Sequence, residues 1–246
     1  MIIILTYGKG RDNMCILGFQ KTTLLDYPHK LAATIFFGGC NFRCPFCHNA
    51  ELVTQNALPE LSHDAILAYL KKRTGILEGV CITGGEPTLS KGLPDFIHKI
   101  KNLGLLVKLD TNGSNPSMLK ELMQTHTIDY VAMDIKNSPE KYEATAGAKV
   151  NLSNIQESID LLLTATIPYE FRTTVVRELH TEEDFIKIGQ WLQGASQYYL
   201  QNFVNSDRLI CPNRFSSYDS ESLTYFCNLL KSQIPLVALR GINQPI

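Results

Sequence analysis

The chain has 246 residues, 44% of them hydrophobic, and a formal net charge of −1. That length can bury one large core, and the near-neutral balance gives neither a basic nucleic-acid surface nor an acidic tail. The opening "MIIIL" is too short for a signal-peptide core and no apolar run approaches a membrane span, so the expectation is a cytoplasmic protein with no membrane and no nucleic-acid partner.

In chain order, "CILGFQKTTLLDYP" reads as a short extended appendage ahead of the first strand. Strands are then predicted at "AATIFF" (32–37), "GVCIT" (79–83), "LLVKL" (105–109), "DYVAM" (129–133), "EFRTTVV" (170–176) and "YYLQNFV" (198–204). Several are almost continuously apolar, as strands covered on both faces tend to be. "PLVALRG" (235–241) is a candidate for one more.

Helices fill the intervals. Ser62 can cap a helix that stops at Gly75, Asn115-Pro116 supplies an N-cap followed by proline in the first turn, and Thr181 precedes three acids in a helix closed by Gly194. Apolar residues recur at helical spacing: Ile66, Leu67 and Leu70; Phe96, Ile97 and Ile100; Ile155, Ile159, Leu162 and Leu163; Phe185, Ile188, Trp191 and Leu192. Six β-α units in series imply a parallel sheet with right-handed crossovers. Six strands are too few to close the eight-stranded barrel. The expected fold is therefore α/β, a partial, open (β/α)6 TIM-like barrel with a short N-terminal extension and an extra C-terminal strand; a flat doubly wound sheet is the alternative.

In such folds chemistry sits at the C-terminal ends of the strands. Those positions carry the cysteine loop "GGCNFRCPFCHN" (38–49), "GGEP" (84–87), "DTNGS" (110–114) and "DIKNS" (134–138), and Arg172 lies inside the fifth strand. Cys40, Cys44 and Cys47 form a C-x3-C-x2-C run. Structural zinc sites want four ligands, usually from two knuckles. Here His48 is adjacent to Cys47 and would strain to reach the same ion. Cys81 reads as a strand residue, Cys227 as part of an apolar helix face, and Cys15 and Cys211 stand alone. Three thiolates suit a [4Fe–4S] cluster with one iron left without a protein ligand; zinc, or no metal, are the alternatives.

These residues resemble the radical S-adenosylmethionine (SAM) superfamily: the cysteine run with Phe46 before its last thiol, and a GGE segment ending the next strand. "GCNFRCPFCHN", "GVCITGGEPTL", "KLDTNGSNP", "YVAMDIK" and "FRTTVV" together are similar to activating enzymes of glycyl radical proteins, most of all to the activator of anaerobic ribonucleoside-triphosphate reductase. The match runs from about Gly18 to Gly241 as a single radical SAM domain with its core at about 30–205. Residues 1–13 fall outside it, and Met14 is an alternative start.

The resemblance implies that Cys40, Cys44 and Cys47 are the catalytic cluster ligands, with SAM chelating the fourth iron. It implies that Phe46 and His48 flank the adenine, with loop packing as the other reading of Phe46. Gly84, Gly85 and Glu86 would lie at the methionine end, with Asp134 and Lys136 toward its ammonium or ribose and its carboxylate. Asp110 and Thr111 resemble positions that bind a monovalent cation, a solvated loop carboxylate being the other reading of Asp110. Arg172 needs a buried partner, either a ligand group or a structural carboxylate. A histidine that related activators carry near the end of the sixth strand is missing, leaving Gln201 or Asn202 there. Positions 48–78 hold no cysteine, so a ferredoxin-like insert is absent and an external flavodoxin or ferredoxin is the expected electron donor.

The implied activity is reductive cleavage of SAM and hydrogen abstraction from a glycine of a partner enzyme. Activation of another glycyl radical enzyme such as pyruvate formate-lyase, a radical SAM synthase acting on a small molecule, and a zinc-stabilised binding module without catalysis are the alternatives.

Overall fold

In the computed structural model, residues 14–54 and 60–241 are described; the extension at 1–13, set outside the family match, is not among them. Eight strands follow one another in the sheet in the order β1 to β8: Ile16–Thr23, Ala32–Phe37, Gly79–Gly84, Leu106–Thr111, Tyr130–Asp134, Tyr169–Val175, Gln197–Asn202 and Leu236–Arg240. The antiparallel β1 is the extended appendage, laid along β2 with Ile16 opposite Phe37 and Thr23 opposite Ala32. Strands β2 to β7 are the six of the expected β/α series, and β8 is the extra strand at the far end. The open, linear strand order is that of the expected partial barrel. Among the described residues, eight α-helices accompany it: α1 (Ala50–Thr54), α2 (His63–Lys72), α3 (Leu93–Lys101), α4 (Pro116–Gln124), α5 (Tyr142–Ala146), α6 (Leu152–Leu163), α7 (Glu182–Trp191) and α8 (Ser220–Leu230). None of the described helices is long and apolar enough to cross a membrane.

The chain divides into two compact units: 1–41, 51–111 and 115–131 in one, and 42–50, 112–114 and 132–246 in the other. In the first, β2, β3 and β4 are parallel, with Ala32 beside Gly79 and Gly79 beside Leu106. Ile35, Phe37, Val80, Ile82, Val107 and Leu109 are buried in the strands, and Ile66, Leu70, Phe96, Ile97, Ile100, Leu119 and Leu122 in the helices. The Ser62 cap is present, its hydroxyl accepting from the Ala65 amide at 3.3 Å. So is that of Asn115, which accepts from Met118 N–H at 3.3 Å. Helix α2 ends at Lys72 rather than Gly75, because the chain leaves the helix at Arg73 to make an isolated bridge between Thr74 and Leu77.

In the second unit β6, β7 and β8 are parallel, with Phe171 beside Tyr198 and Tyr198 beside Val237. Of the expected apolar positions, Ile155, Ile159, Leu162, Phe185, Ile188 and Leu192 are buried, while Leu163 and Trp191 are only partly so; Phe185 stacks on Phe226 with ring centroids 4.6 Å apart. Helix α7 starts at a capping box in which the backbone N–H and hydroxyl of Thr181 both donate to Asp184 Oδ2, at 2.8 and 2.7 Å.

Candidate functional site

In the first unit the double glycine is set by backbone contact. Gly85 N–H donates to Phe37 O and Glu86 N–H to Gly39 O, both at 2.8 Å. A Cβ on Gly85 would lie 1.9 Å from the Gly39 carbonyl oxygen. The end of β3 is thus clasped to the residue before Cys40, and only a residue without a side chain fits there. Gly84 ends β3 beside Phe37.

The Glu86 carboxylate is 1% exposed. Its Oε1 accepts from Thr88 N–H at 3.1 Å, from the Thr88 hydroxyl at 2.5 Å and from the Thr111 hydroxyl at 2.8 Å. Glu86 therefore ties the GGEP turn to the end of β4. Asp110, next to Thr111, is ion-paired to the buried Lys108. Cys81, inside β3, is buried, with Lys108 Nζ 3.8 Å from its sulfur.

In the second unit the cysteine loop is held from two sides. Cys44 and Cys47 close a turn, the Cys47 amide donating to Cys44 O at 2.9 Å. Arg43 N–H donates to Ala146 O at 2.8 Å, at the end of α5. There Gly147 has φ 64° and passes so near that its Cβ would meet Arg43 O at 2.3 Å. On the other side, the segment after β7 lies along the loop. Cys211 N–H donates to Pro45 O at 2.8 Å, and His48 Nε2 lies 2.6 Å from Val204 O. The Phe46 ring, buried, meets Phe215 edge-on at 6.4 Å, and His48 packs against Phe203 at 5.6 Å. Cys211 does not stand apart, as its sequence position suggested, but is backbone-bonded to the cysteine turn. His48 Nε2 is engaged by a backbone carbonyl, so the ring is oriented by the chain and not toward a metal.

Burial pushes the Cys44 thiol up to about 11, against a lowering by Lys136, and raises that of Cys47 as well. None of the seven cysteines is disulfide-bonded. Among the described residues no group of three His, Cys, Asp or Glu side chains forms a ready metal cage. The case for a cluster therefore rests on the donor set: three thiols, none in a disulfide, within eight residues of sequence, Cys44 buried and Cys40 and Cys47 partly exposed, with Cys44 and Cys47 drawn together by a turn.

At the end of β5 and beside the middle of β6, three charges meet. Asp134 Oδ1 accepts from Arg172 Nε at 2.9 Å and lies 2.9 Å from NH2 of the same guanidinium, while Oδ2 accepts from Lys136 Nζ at 3.1 Å. Burial by itself would raise the Asp134 pKa, but the Arg172 and Lys136 charges outweigh it and hold the carboxyl down to about 2. For Lys136, burial works against the charged form and is overcome by Asp134, so its pKa is raised. Of the two partners open to Arg172, the structure supplies the carboxylate. The Lys136 ammonium, paired through Asp134 Oδ2, is the kind of group that recognises a carboxylate.

Residues that the motif reading did not single out hold this group. His180, fully buried, sits with Nε2 2.8 Å from the Lys136 carbonyl, and its Nδ1 accepts from Val176 N–H at 3.1 Å. Thr173 donates to Ile135 O at 2.7 Å. A histidine on the way from β6 into α7, too far in sequence to pair with "DIK" by inspection, gave no signal of this. The "NGS" turn is pinned by α6, through Ser158 to Gly113 O at 2.7 Å and Asn154 to Ser114 O at 3.0 Å.

The family model "Radical SAM superfamily" matches residues 34–192. The chain belongs to the radical SAM superfamily. A relative from Methanocaldococcus jannaschii, provisionally named a glycyl-radical enzyme activating enzyme, is 31% identical over 93% of this chain and 96% of its own. A GTP 3′,8-cyclase of Alkaliphilus oremlandii is 30% identical over 61% of this chain and 49% of its own. Among solved structures, SuiB of Streptococcus suis bound to S-adenosylmethionine superposes with a TM-score of 0.66 at 14% identity, covering 83% of this chain and 49% of that one; this is a likeness of fold. The motif resemblance is thus borne out for the radical SAM superfamily and for its activating-enzyme relatives. The radical SAM family brings with it a [4Fe–4S] cluster and SAM as cofactors.

Proposed function

We propose that this radical SAM enzyme activates a glycyl radical enzyme, and that its substrate is a glycine of the anaerobic ribonucleoside-triphosphate reductase. The observation that carries the reaction class is the relative from M. jannaschii, similar across nearly the whole of both chains. The partner rests on the sequence stretches "KLDTNGSNP", "YVAMDIK" and "FRTTVV" and on the missing histidine at the end of β7.

The reduced cluster and SAM together supply methionine and a 5′-deoxyadenosyl radical that takes a hydrogen atom from glycine. The protein's work is to bind and orient. Cys40, Cys44 and Cys47 would hold three irons; the raised thiol pKa values of Cys44 and Cys47 mean that binding iron must displace protons there. Phe46 and His48, locked by Phe215, Phe203 and the Val204 carbonyl, would present ring and backbone to the adenine. Lys136 is the cation for the SAM carboxylate, and Asp134, kept ionised by Arg172, the anion for its ammonium or ribose. In the first unit, Gly84 and Gly85 would offer backbone carbonyls, in a turn that Glu86 holds.

The partial match to the GTP 3′,8-cyclase favours one competing reading, a radical SAM enzyme acting on a small molecule. One anaerobic experiment separates them. Reduced protein, SAM and the large reductase subunit from the same organism should give a doublet glycyl-radical EPR signal with 5′-deoxyadenosine. A signal only on another glycyl radical enzyme would keep the reaction class and remove the partner. 5′-Deoxyadenosine formed only when GTP is added would overturn the activating role.

A further inference from the structure

The charge at the end of β4 has a source that the binding of SAM does not use. Lys108 lies inside β4 at 2% exposure, as the register partner of Cys81 in β3. Two residues on, and so on the same face of the strand, Asp110 is its ion-pair partner, with a side chain 14% exposed. Lys108 also points Nζ at the Cys81 sulfur, 3.8 Å away. A lysine buried this far keeps its charge only against a partner, and Asp110 provides it. The neighbouring Thr111 has turned its hydroxyl proton to Glu86.

The family resemblance would place a monovalent cation on Asp110 and Thr111. The residues present do not fit one well. A buried ammonium is already on the Asp110 carboxylate, and a second positive charge there would meet it at close range, in a setting where water screens little. We infer that Lys108 is a tethered monovalent cation: its ammonium supplies, from within β4, the charge that an alkali ion would bring to Asp110, and the protein neither needs nor selects such an ion. The statement about the ion at rest depends only on this pair. Its consequence for SAM rests on the proposed cofactor role.

The test compares potassium, sodium and tetramethylammonium chlorides at equal ionic strength, the last being too large to take an oxygen-lined site. The full chain, reconstituted with its cluster, should unfold at the same midpoint in all three, and SAM should bind with the same affinity in all three. Lys108→Met takes this ammonium from the partly buried Asp110 carboxylate. Its midpoint should fall by about 10 °C in tetramethylammonium, with part recovered in potassium or sodium as the ion takes the vacated place. The double variant Lys108→Met/Asp110→Asn should recover nothing on changing salt. A wild-type midpoint that rises specifically in potassium or sodium would overturn the inference, as would a Lys108→Met loss equal in all three salts. If Lys108→Met does not fold in any salt, the wild-type midpoints decide alone. Because unfolding is read without SAM, loss of SAM binding in every salt would count against the cofactor role and leave the Lys108 result standing.

Discussion

Gly85 approaches Gly39 so closely that a single methyl group would stand 1.9 Å from the Gly39 carbonyl oxygen. The obstacle is backbone, which cannot swing aside as a long side chain can. Gly85→Ala is therefore expected to lower stability by about 1–3 kcal/mol through overpacking. It should also reduce the iron retained on reconstitution, because Gly39 leads directly into Cys40. Thermal unfolding and iron analysis check the two effects separately; an alanine variant with wild-type iron content would show that the clasp does not set the cysteine loop.

Much of the fold was legible because the strands are short apolar runs with a helix between each pair. "AATIFF" coincides with β2, and the caps at Ser62, Asn115 and Thr181 all appear. The strand ends were less so. "LLVKL" stops the strand at Leu109, yet β4 runs on through Asp110 and Thr111, because Glu86 and Lys108 engage their polar side chains. The same kind of contact escaped the reading of the site. The motif residues could be named from spacing, but their holders could not: Glu86 for Thr111, His180 for Lys136, Ala146 and Gly147 for Arg43, and Cys211 for Pro45. Each is a contact between positions distant in sequence, and no local periodicity encodes such a pairing.

The seven cysteines should divide cleanly. Alanine at Cys40, Cys44 or Cys47 is expected to abolish cluster assembly and turnover. Cys227→Ala, on the buried face of α8, should keep its iron and lose about 1 kcal/mol of stability. Cys211→Ser is the sharper case. Its bond to Pro45 O is made by the backbone amide, so the variant should load iron and bind SAM as wild type does. Loss of the visible iron–sulfur absorption in Cys211→Ser would show that this thiol has a part in the cluster.

The three charges of Asp134, Lys136 and Arg172 predict unequal losses. Lys136→Ala removes one of the two cations on Asp134 and leaves the carboxylate paired to Arg172, so SAM affinity should fall while iron content holds. A charge-assisted contact of this kind is worth about 1.5–3 kcal/mol, or roughly ten- to a hundredfold in affinity. Asp134→Asn should be worse for folding as well, since Lys136 and Arg172 then face each other without the anion between them. The Asp134 pKa is held low, so its contribution to stability is present above the ordinary carboxylate range near 4 and lost as pH falls toward 2. Binding titrations and acid unfolding read the two consequences. If Lys136→Ala loses iron instead of SAM affinity, the lysine is structural.

His180 predicts a second, milder pH dependence. It is fully buried, and burial pushes its pKa below the ordinary histidine value despite hydrogen bonds with Lys136 and Val176 that act the other way. The nearest charges are those of Asp184, which favours protonation, and Lys141, which opposes it; the two pair with each other at 2.6 Å. Nδ1 lies 3.1 Å from both the amide nitrogen and the carbonyl oxygen of Val176, and Nε2 lies 2.8 Å from the Lys136 carbonyl, so the ring is held by backbone groups. In the unfolded chain the same histidine protonates near pH 6.5. Between that value and the lower folded one, the unfolded state binds more protons, so stability falls as pH is lowered through this window. The loss should be at most about 1.4 kcal/mol per pH unit, the limit for one proton. His180→Gln can keep a donor to Lys136 O without titrating. Its unfolding free energy measured between pH 7 and 5 should change less steeply than that of wild type, the difference cancelling the other histidines. Equal slopes would mean that His180 is protonated in the folded protein, and that the Lys136 carbonyl is held by an imidazolium.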